Sequence, residues 1–216
     1  LPLGILNDLA VFVPSFVGIL SPPVLPSSFP LSPAAPSARD LHARVLDVLT
    51  ALGARIAGPV AASAAYALDE PEPVTARVAA AVRLHARVAA AMHREIVATG
   101  TLARPPKAGR HLYADLGPLR PALTAHGVGD AQELEDFLSV RLGMPAPGGH
   151  RFGDELGALR VRLSTGPLLG HTDEERAECL TSPAPLELPH VQRALNHVKS
   201  VFDDLRDDAQ RWEPPR

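Results

Sequence analysis

Residues 159–164 read Leu-Arg-Val-Arg-Leu-Ser, and this short run decides the fold. Apolar and polar side chains alternate with period two, as in a strand that has one face in a core and the other open. One face is apolar and the other carries Arg160 and Arg162. Arg160, flanked by Leu159 and Val161, needs a reason to sit at the rim of a core. Its planar fork binds a carboxylate through two parallel hydrogen bonds, which lysine cannot reproduce. An arginine on the open face of an edge strand is the plainer alternative.

Just upstream, Pro147-Gly148-Gly149-His150-Arg151-Phe152-Gly153-Asp154 reads as a tight loop leading into that strand. Its glycines permit close backbone approach. Further back, His111–Leu116 (HLYADL) is a second strand candidate after the Pro105-Pro106 turn. Pro118–His126 can form a short helix. Asp130-x-x-Glu133 is a capping-box-like start for a helix through Leu142, with Leu134, Phe137, Leu138 and Val140 available for burial. Downstream, Thr172-x-x-Glu175 caps another short helix. Pro189 opens a final one whose stripe is Val191, Leu195, Val198, Phe202 and Leu205.

The first half reads as helical. Leu41, Val45, Val48, Leu49 and Leu52 fall near a 3.6 period and Gly53 follows. Val60–Leu68 is an Ala-rich helix with Pro59 at its start. After the Asp69–Pro73 break, a long helix runs from about Pro73 to Thr99. Its stripe is Val74, Val78, Ala81, His85, Val88, Met92 and Ile96, and Gly100 stops it. The predicted class is α/β or α+β: a small mixed sheet with helices packed on it.

Residues 1–38 differ from the rest, with one charge, Asp8, and eight prolines. The apolar run Leu9–Leu20 is shorter than the ~20 residues a membrane helix needs, and no basic region precedes it. This leader is expected to be irregular, residues 39–210 to hold the structured body, and 211–216 to be a tail. No membrane association is expected.

Composition narrows the function classes. The net charge of -3, with signs mixed along the chain, gives no basic stripe for tracking a phosphate backbone, so nucleic acid is not an expected partner. The one cysteine, Cys179, forms no internal disulfide, which favours a reducing, cytoplasmic setting. It follows Glu178 on an acidic helix, which raises a thiol pKa and argues against a nucleophile. The nine histidines show no metal-ligand spacing, so no metal is expected. Among 21 basic residues only Lys107 and Lys199 are lysines, which leaves few candidates for Schiff-base chemistry. No residue is assigned a catalytic role.

The order of these features resembles the C-terminal, small-domain half of the class I/II, fold-type-I aminotransferases that use pyridoxal phosphate. Ala61–Tyr66 with the Asp-Glu-Pro turn and the long Arg/Ala helix resembles the family's interdomain and small-domain helices. Gly109–Leu116 resembles the glycine-plus-aromatic strand that begins its small sheet. Pro147-Gly148 through Phe152-Gly153-Asp154 is similar to its Pro-Gly-x-x-Phe-Gly loop, with one extra residue. Leu159–Ser164 resembles the strand whose arginine grips the substrate α-carboxylate.

The resemblance implies that Arg160 binds the α-carboxylate of an amino acid or 2-oxo acid, with Arg162 as the fallback on the same face. It implies amino-group transfer through pyridoxal phosphate in the intact relative, and a homodimer. The segment that should hold the aldimine lysine falls at residues 1–38, which contain no lysine. Covalent cofactor binding by this chain is therefore not expected. Apolar surface should be exposed on Ala57–Leu68, where a large domain would pack. Two other readings stay open: a non-catalytic interaction module or gene remnant that keeps the fold, and an unrelated helical α/β binding protein.

Overall fold

The computed structural model describes residues 43, 44, 47, 48, 50–53 and 58–211 of the 216. The expected irregular leader over 1–38, positions 41, 45 and 49 of the first helix stripe, and residues 212–216 of the tail lie outside the described residues. Positions 43, 44, 47, 48, 50 and 51 are helical, and Gly53 ends that turn at φ 61°. The chain divides into two units, residues 1–78 and 79–216, with one long helix running across the division.

In the first unit, α1 (Gly58–Leu68) forms over the Ala-rich stretch, with Ser63 Oγ donating to Pro59 O at 2.8 Å. Tyr66 and Leu68 are exposed and Ala67 is buried. The long helix α2 (Glu72–Val97) starts with Glu72 in its first turn, where a carboxylate suits the positive end of the helix dipole.

The second unit holds the sheet. Gly100, at φ 92°, turns the chain out of α2 into β1 (Leu102–Ala103), a two-residue strand too short to leave an alternation pattern in sequence. β2 (His111–Asp115) and β3 (Arg160–Ser164) lie close to the predicted strands. Between them come a 3₁₀ turn at Gly117–Leu119, α3 (Arg120–Ala125) and α4 (Ala131–Leu142). After β3 come α5 (Asp173–Thr181) and α6 (Pro189–Arg211). The described chain is mostly helical with a small three-stranded sheet in the order β1-β2-β3.

Both strand pairs are antiparallel, which corrects the expectation of a mixed sheet. Residues 104–110 make too short a link for the crossover that a parallel pair requires. The longer link through α3 and α4 also returns β3 antiparallel to β2.

The caps largely follow the sequence, although at α4 Glu133 accepts from Gly129 N and does not close a capping box with Asp130. Asp130 accepts from the backbone N–H groups of Gln132 and Glu133, Gly143 closes α4 in the left-handed region, and Thr172 with Glu175 forms a full capping box on α5. Leu84, Val88, Met92 and Ile96 of α2 join Leu112, Val161, Leu163, Leu134, Leu138 and Phe202 in one core. Several predicted stripe positions differ, and Val74, Val78, Ala81 and Leu195 are only half-buried. Leu84 is fully buried where His85 is only half-buried, and Val140 is 82% exposed because α4 packs through Leu134, Leu138 and Leu142 instead. No helix among the described residues is long and apolar enough to cross a membrane.

Candidate functional site

Alternation along β2 and β3 splits the sheet into two faces. Leu112, Ala114, Val161 and Leu163 enter the core. His111, Tyr113 and Asp115 of β2 share the outer face with Arg160, Arg162 and Ser164 of β3, in the register His111↔Ser164, Tyr113↔Arg162 and Asp115↔Arg160. Directly opposed side chains are the pairs that interact across a sheet.

Arg160 is tied on two sides. Its Nε donates to Asp115 Oδ2 at 2.9 Å, and its Nη1 lies 3.4 Å from Asp154 Oδ2. Asp115 is itself held by the turn that follows, because its Oδ1 accepts from Gly117 N at 2.8 Å. The Tyr113 hydroxyl donates to Asp154 Oδ2 at 2.6 Å. Asp115, Asp154 and Tyr113 had no role in the sequence reading. Alternation puts Tyr113 and Asp115 on one face, but only the register of β2 against β3 shows which arginine they meet.

The charges respond to these contacts. Burial of the phenol, then its hydrogen bond to Asp154, pushes the Tyr113 hydroxyl up to about 12. The Tyr113 hydrogen bond, then Arg160, holds Asp154 below the usual carboxylate range. The hydrogen bond to Asp115, then the nearby Asp154 carboxylate, raises the already high pKa of Arg160.

Arg162 has different company. Its guanidinium stacks 4.4 Å above the Phe152 ring, and Phe152 meets Tyr113 edge-on with ring centroids 6.2 Å apart. Arg162 makes no ion pair among the described residues. With Arg110 it forms a cationic end of the face, which joins burial in lowering the pKa of His111. Behind that end, Thr165 donates its one hydroxyl proton to Arg110 O, so His85 must present Nδ1–H to Thr165 Oγ1 at 2.7 Å. Burial, then Arg110 and His111, lowers the His85 pKa to about 4, and the ring is neutral.

The loop before β3 is tied down over residues 147–151. Pro147 O accepts from Arg162 N at 2.9 Å, and Gly148 bridges to Val161. Glu135 of α4 accepts from Gly148 N at 2.9 Å and from Arg151 Nε at 2.7 Å. Arg151 is therefore a brace. His150 Nδ1 is buried with no hydrogen-bond partner among the described residues, and its Nε2 lies 4.0 Å from Glu135. Both glycines are required by close approach. A Cβ at Gly148 would sit 2.4 Å from Ala131 O, and one at Gly149 would sit 2.7 Å from both Asp154 Oδ2 and Tyr113 Oη.

An open groove of about 920 Å³ runs along the β1 side of this face, lined by Leu102, Arg104, Lys107, His111, Tyr113 and Arg160 among others. Lys107 thus shares the groove with Arg160, a proximity invisible in sequence. Lys199 pairs with Asp203 on α6. For pyridoxal phosphate, Lys199 is engaged by an acid, and Lys107 lies on the exposed 104–110 loop in a groove that it shares with Asp115.

Elsewhere the histidines brace packing. His93 meets Ala103 O, His126 meets Asp208, and His197 meets Arg141 O. No group of three or more His, Cys, Asp or Glu among the described residues can hold a metal ion. Cys179 is buried 3.2 Å from His190 Nε2. Burial first, then Glu178 and Glu175, pushes its thiol up to about 11.

No protein-family profile matches the chain, and no curated protein does. Among solved structures, the chain is similar to part of an aromatic aminotransferase from Pyrococcus horikoshii OT3, at 15% identity and a TM-score of 0.44. The match covers 67% of this chain and 31% of that one, so the chain spans about a third of the aminotransferase's length.

Proposed function

We propose that residues 39–210 are the small-domain portion of an aminotransferase-family protein, and that the outer face of β3 receives the α-carboxylate of an amino acid or 2-oxo acid. Arg160 is the assigned residue and Arg162 its neighbour. The observation that carries the reading is that two arginines share one open strand face, one at the groove and one stacked on Phe152. Planar guanidinium groups are suited to carboxylates in this way. The motif order around them, from Gly109–Leu116 through Leu159–Ser164, supports the family reading.

Amino-group transfer through pyridoxal phosphate belongs, in this reading, to a longer protein that supplies the cofactor's lysine. This chain contributes the carboxylate grip. A cytoplasmic setting goes with it, supported by the single, unpaired and buried Cys179.

Titration of the chain with 2-oxoglutarate, followed by the arginine Nε–Hε resonances, tests the proposal. Arg160→Ala is expected to weaken binding about tenfold or more, and Arg160→Ala with Arg162→Ala to abolish it. Unchanged binding by the double variant overturns the assignment. One observation favours a second reading, a protein-interaction surface: Tyr113 and Phe152 are exposed beside Arg162, and aromatic residues and arginine are enriched in interfaces. That reading predicts no shift of either arginine resonance with 2-oxoglutarate.

A further inference from the structure

The two carboxylates on Arg160 are not equivalent. Asp115 sits directly across the sheet, accepts the Nε proton at 2.9 Å, and is pinned through its other oxygen by Gly117 N at 2.8 Å. Asp154 comes from the turn after Phe152. It approaches Nη1 only to 3.4 Å, beyond the usual 2.7–3.2 Å of an N–H···O bond. The oxygen that faces Arg160 is the one that accepts from Tyr113 at 2.6 Å. Neither acid takes the two parallel N–H groups that make a guanidinium–carboxylate pair strong. Nη2 has no partner among the described residues.

We propose that Asp154 is an internal occupant of the Arg160 site, held there by Tyr113, which an incoming carboxylate displaces while Asp115 stays. This rests on the carboxylate-binding reading of β3 and deepens it. Asp115 fixes the plane of the guanidinium from the Nε side. A ligand carboxylate takes Nη1 and Nη2 together, and Asp154 swings out on its turn. The ties of the loop to α4 lie ahead of Asp154, at Gly148 and Arg151, and among the described residues the backbone tie of Asp154 itself is its N–H to Gly149 O at 3.1 Å. Asp154 therefore sets a threshold, so that a weak monovalent anion does not occupy the arginine and a carboxylate with further contacts in the groove does. Gly149 is part of the device, since a Cβ there would meet both Asp154 Oδ2 and Tyr113 Oη at 2.7 Å.

The test uses the full chain with Tyr66→Phe, which leaves Tyr113 as the one tyrosine of two. The probe is 2-oxoglutarate, and each form is read by the Arg160 Nε–Hε shift and by the ultraviolet titration of Tyr113. Asp154→Asn is expected to tighten binding about fivefold, the effect of removing a partly exposed competing ion pair. Glu155→Gln makes the same charge change one residue further on and should leave affinity unchanged. Saturating probe should lower the Tyr113 ionisation from about 12, because the phenol loses its acceptor.

Binding to the parent chain with no gain in Asp154→Asn, or a gain matched by Glu155→Gln, overturns the displacement while the carboxylate-binding reading stands. A Tyr113 titration that the bound probe does not move overturns it as well. No binding by any form overturns both.

Discussion

Glu135 carries more of the site than its place on a surface helix suggests, and its removal has a size that can be worked out. Its Oε2 accepts two hydrogen bonds, from Gly148 N at 2.9 Å and Arg151 Nε at 2.7 Å. The carboxylate is 18% exposed, whereas Arg151 is 58% exposed. A hydrogen bond from a half-buried amide to a charged acceptor contributes about 1.5–3 kcal/mol. An exposed ion pair contributes about 0–1 kcal/mol. Glu135→Ala should therefore destabilise the 79–216 unit by about 2–3 kcal/mol, and Arg151→Ala by less than about 1 kcal/mol. Urea denaturation of the two variants and their double mutant measures both figures.

The pH dependence gives a second reading of the same contact. The Arg151 hydrogen bond, helped by the Gly148 amide and opposed by burial, holds the Glu135 carboxyl below its ordinary pKa. A depressed folded pKa means that the contribution is full above the unfolded value. It is lost as pH falls through the folded one. Glu135→Ala should lack that acid loss. A cost below about 0.5 kcal/mol, or an equal cost for Arg151→Ala, would refute the claim that the Gly148 amide anchors the turn bearing Asp154.

Two further outcomes are expected. His85, with its pKa lowered to about 4 against 6.5 unfolded, makes stability fall as pH drops from about 6.5 to about 4, where the unfolded chain binds the extra proton. His85→Asn should remove that slope from a series of urea midpoints. Cys179, with its thiol pushed up to about 11 from 9, carries about a hundredth of the ordinary thiolate at pH 8. Alkylation by iodoacetamide, read by mass spectrometry, should be correspondingly slow until denaturant exposes it.

Short-range features of this protein were legible in its residues because they depend on neighbours in sequence. Period-two alternation marks β2 and β3. Asp130 and the Thr172–Glu175 pair mark helix starts, since a side chain there satisfies backbone N–H groups two or three residues on. Gly100 marks a helix end, where glycine takes positive φ cheaply. The polarity of the outer face, with Arg160 and Arg162 together, follows from the same alternation.

Tertiary structure decided the rest. β1 is two residues long and leaves no pattern, and the antiparallel sense of the whole sheet depends on how its links return. Val140 is apolar yet exposed, because which stripe of α4 is buried depends on what packs against it. The same holds for the site. Asp115 lies 45 residues before Arg160 in the chain, and Tyr113 lies 41 before Asp154. Sequence alone places a guanidinium on an open face. Only the register of β2 against β3, and the loop pinned by Glu135, reveals that the chain has already put carboxylates of its own beside it.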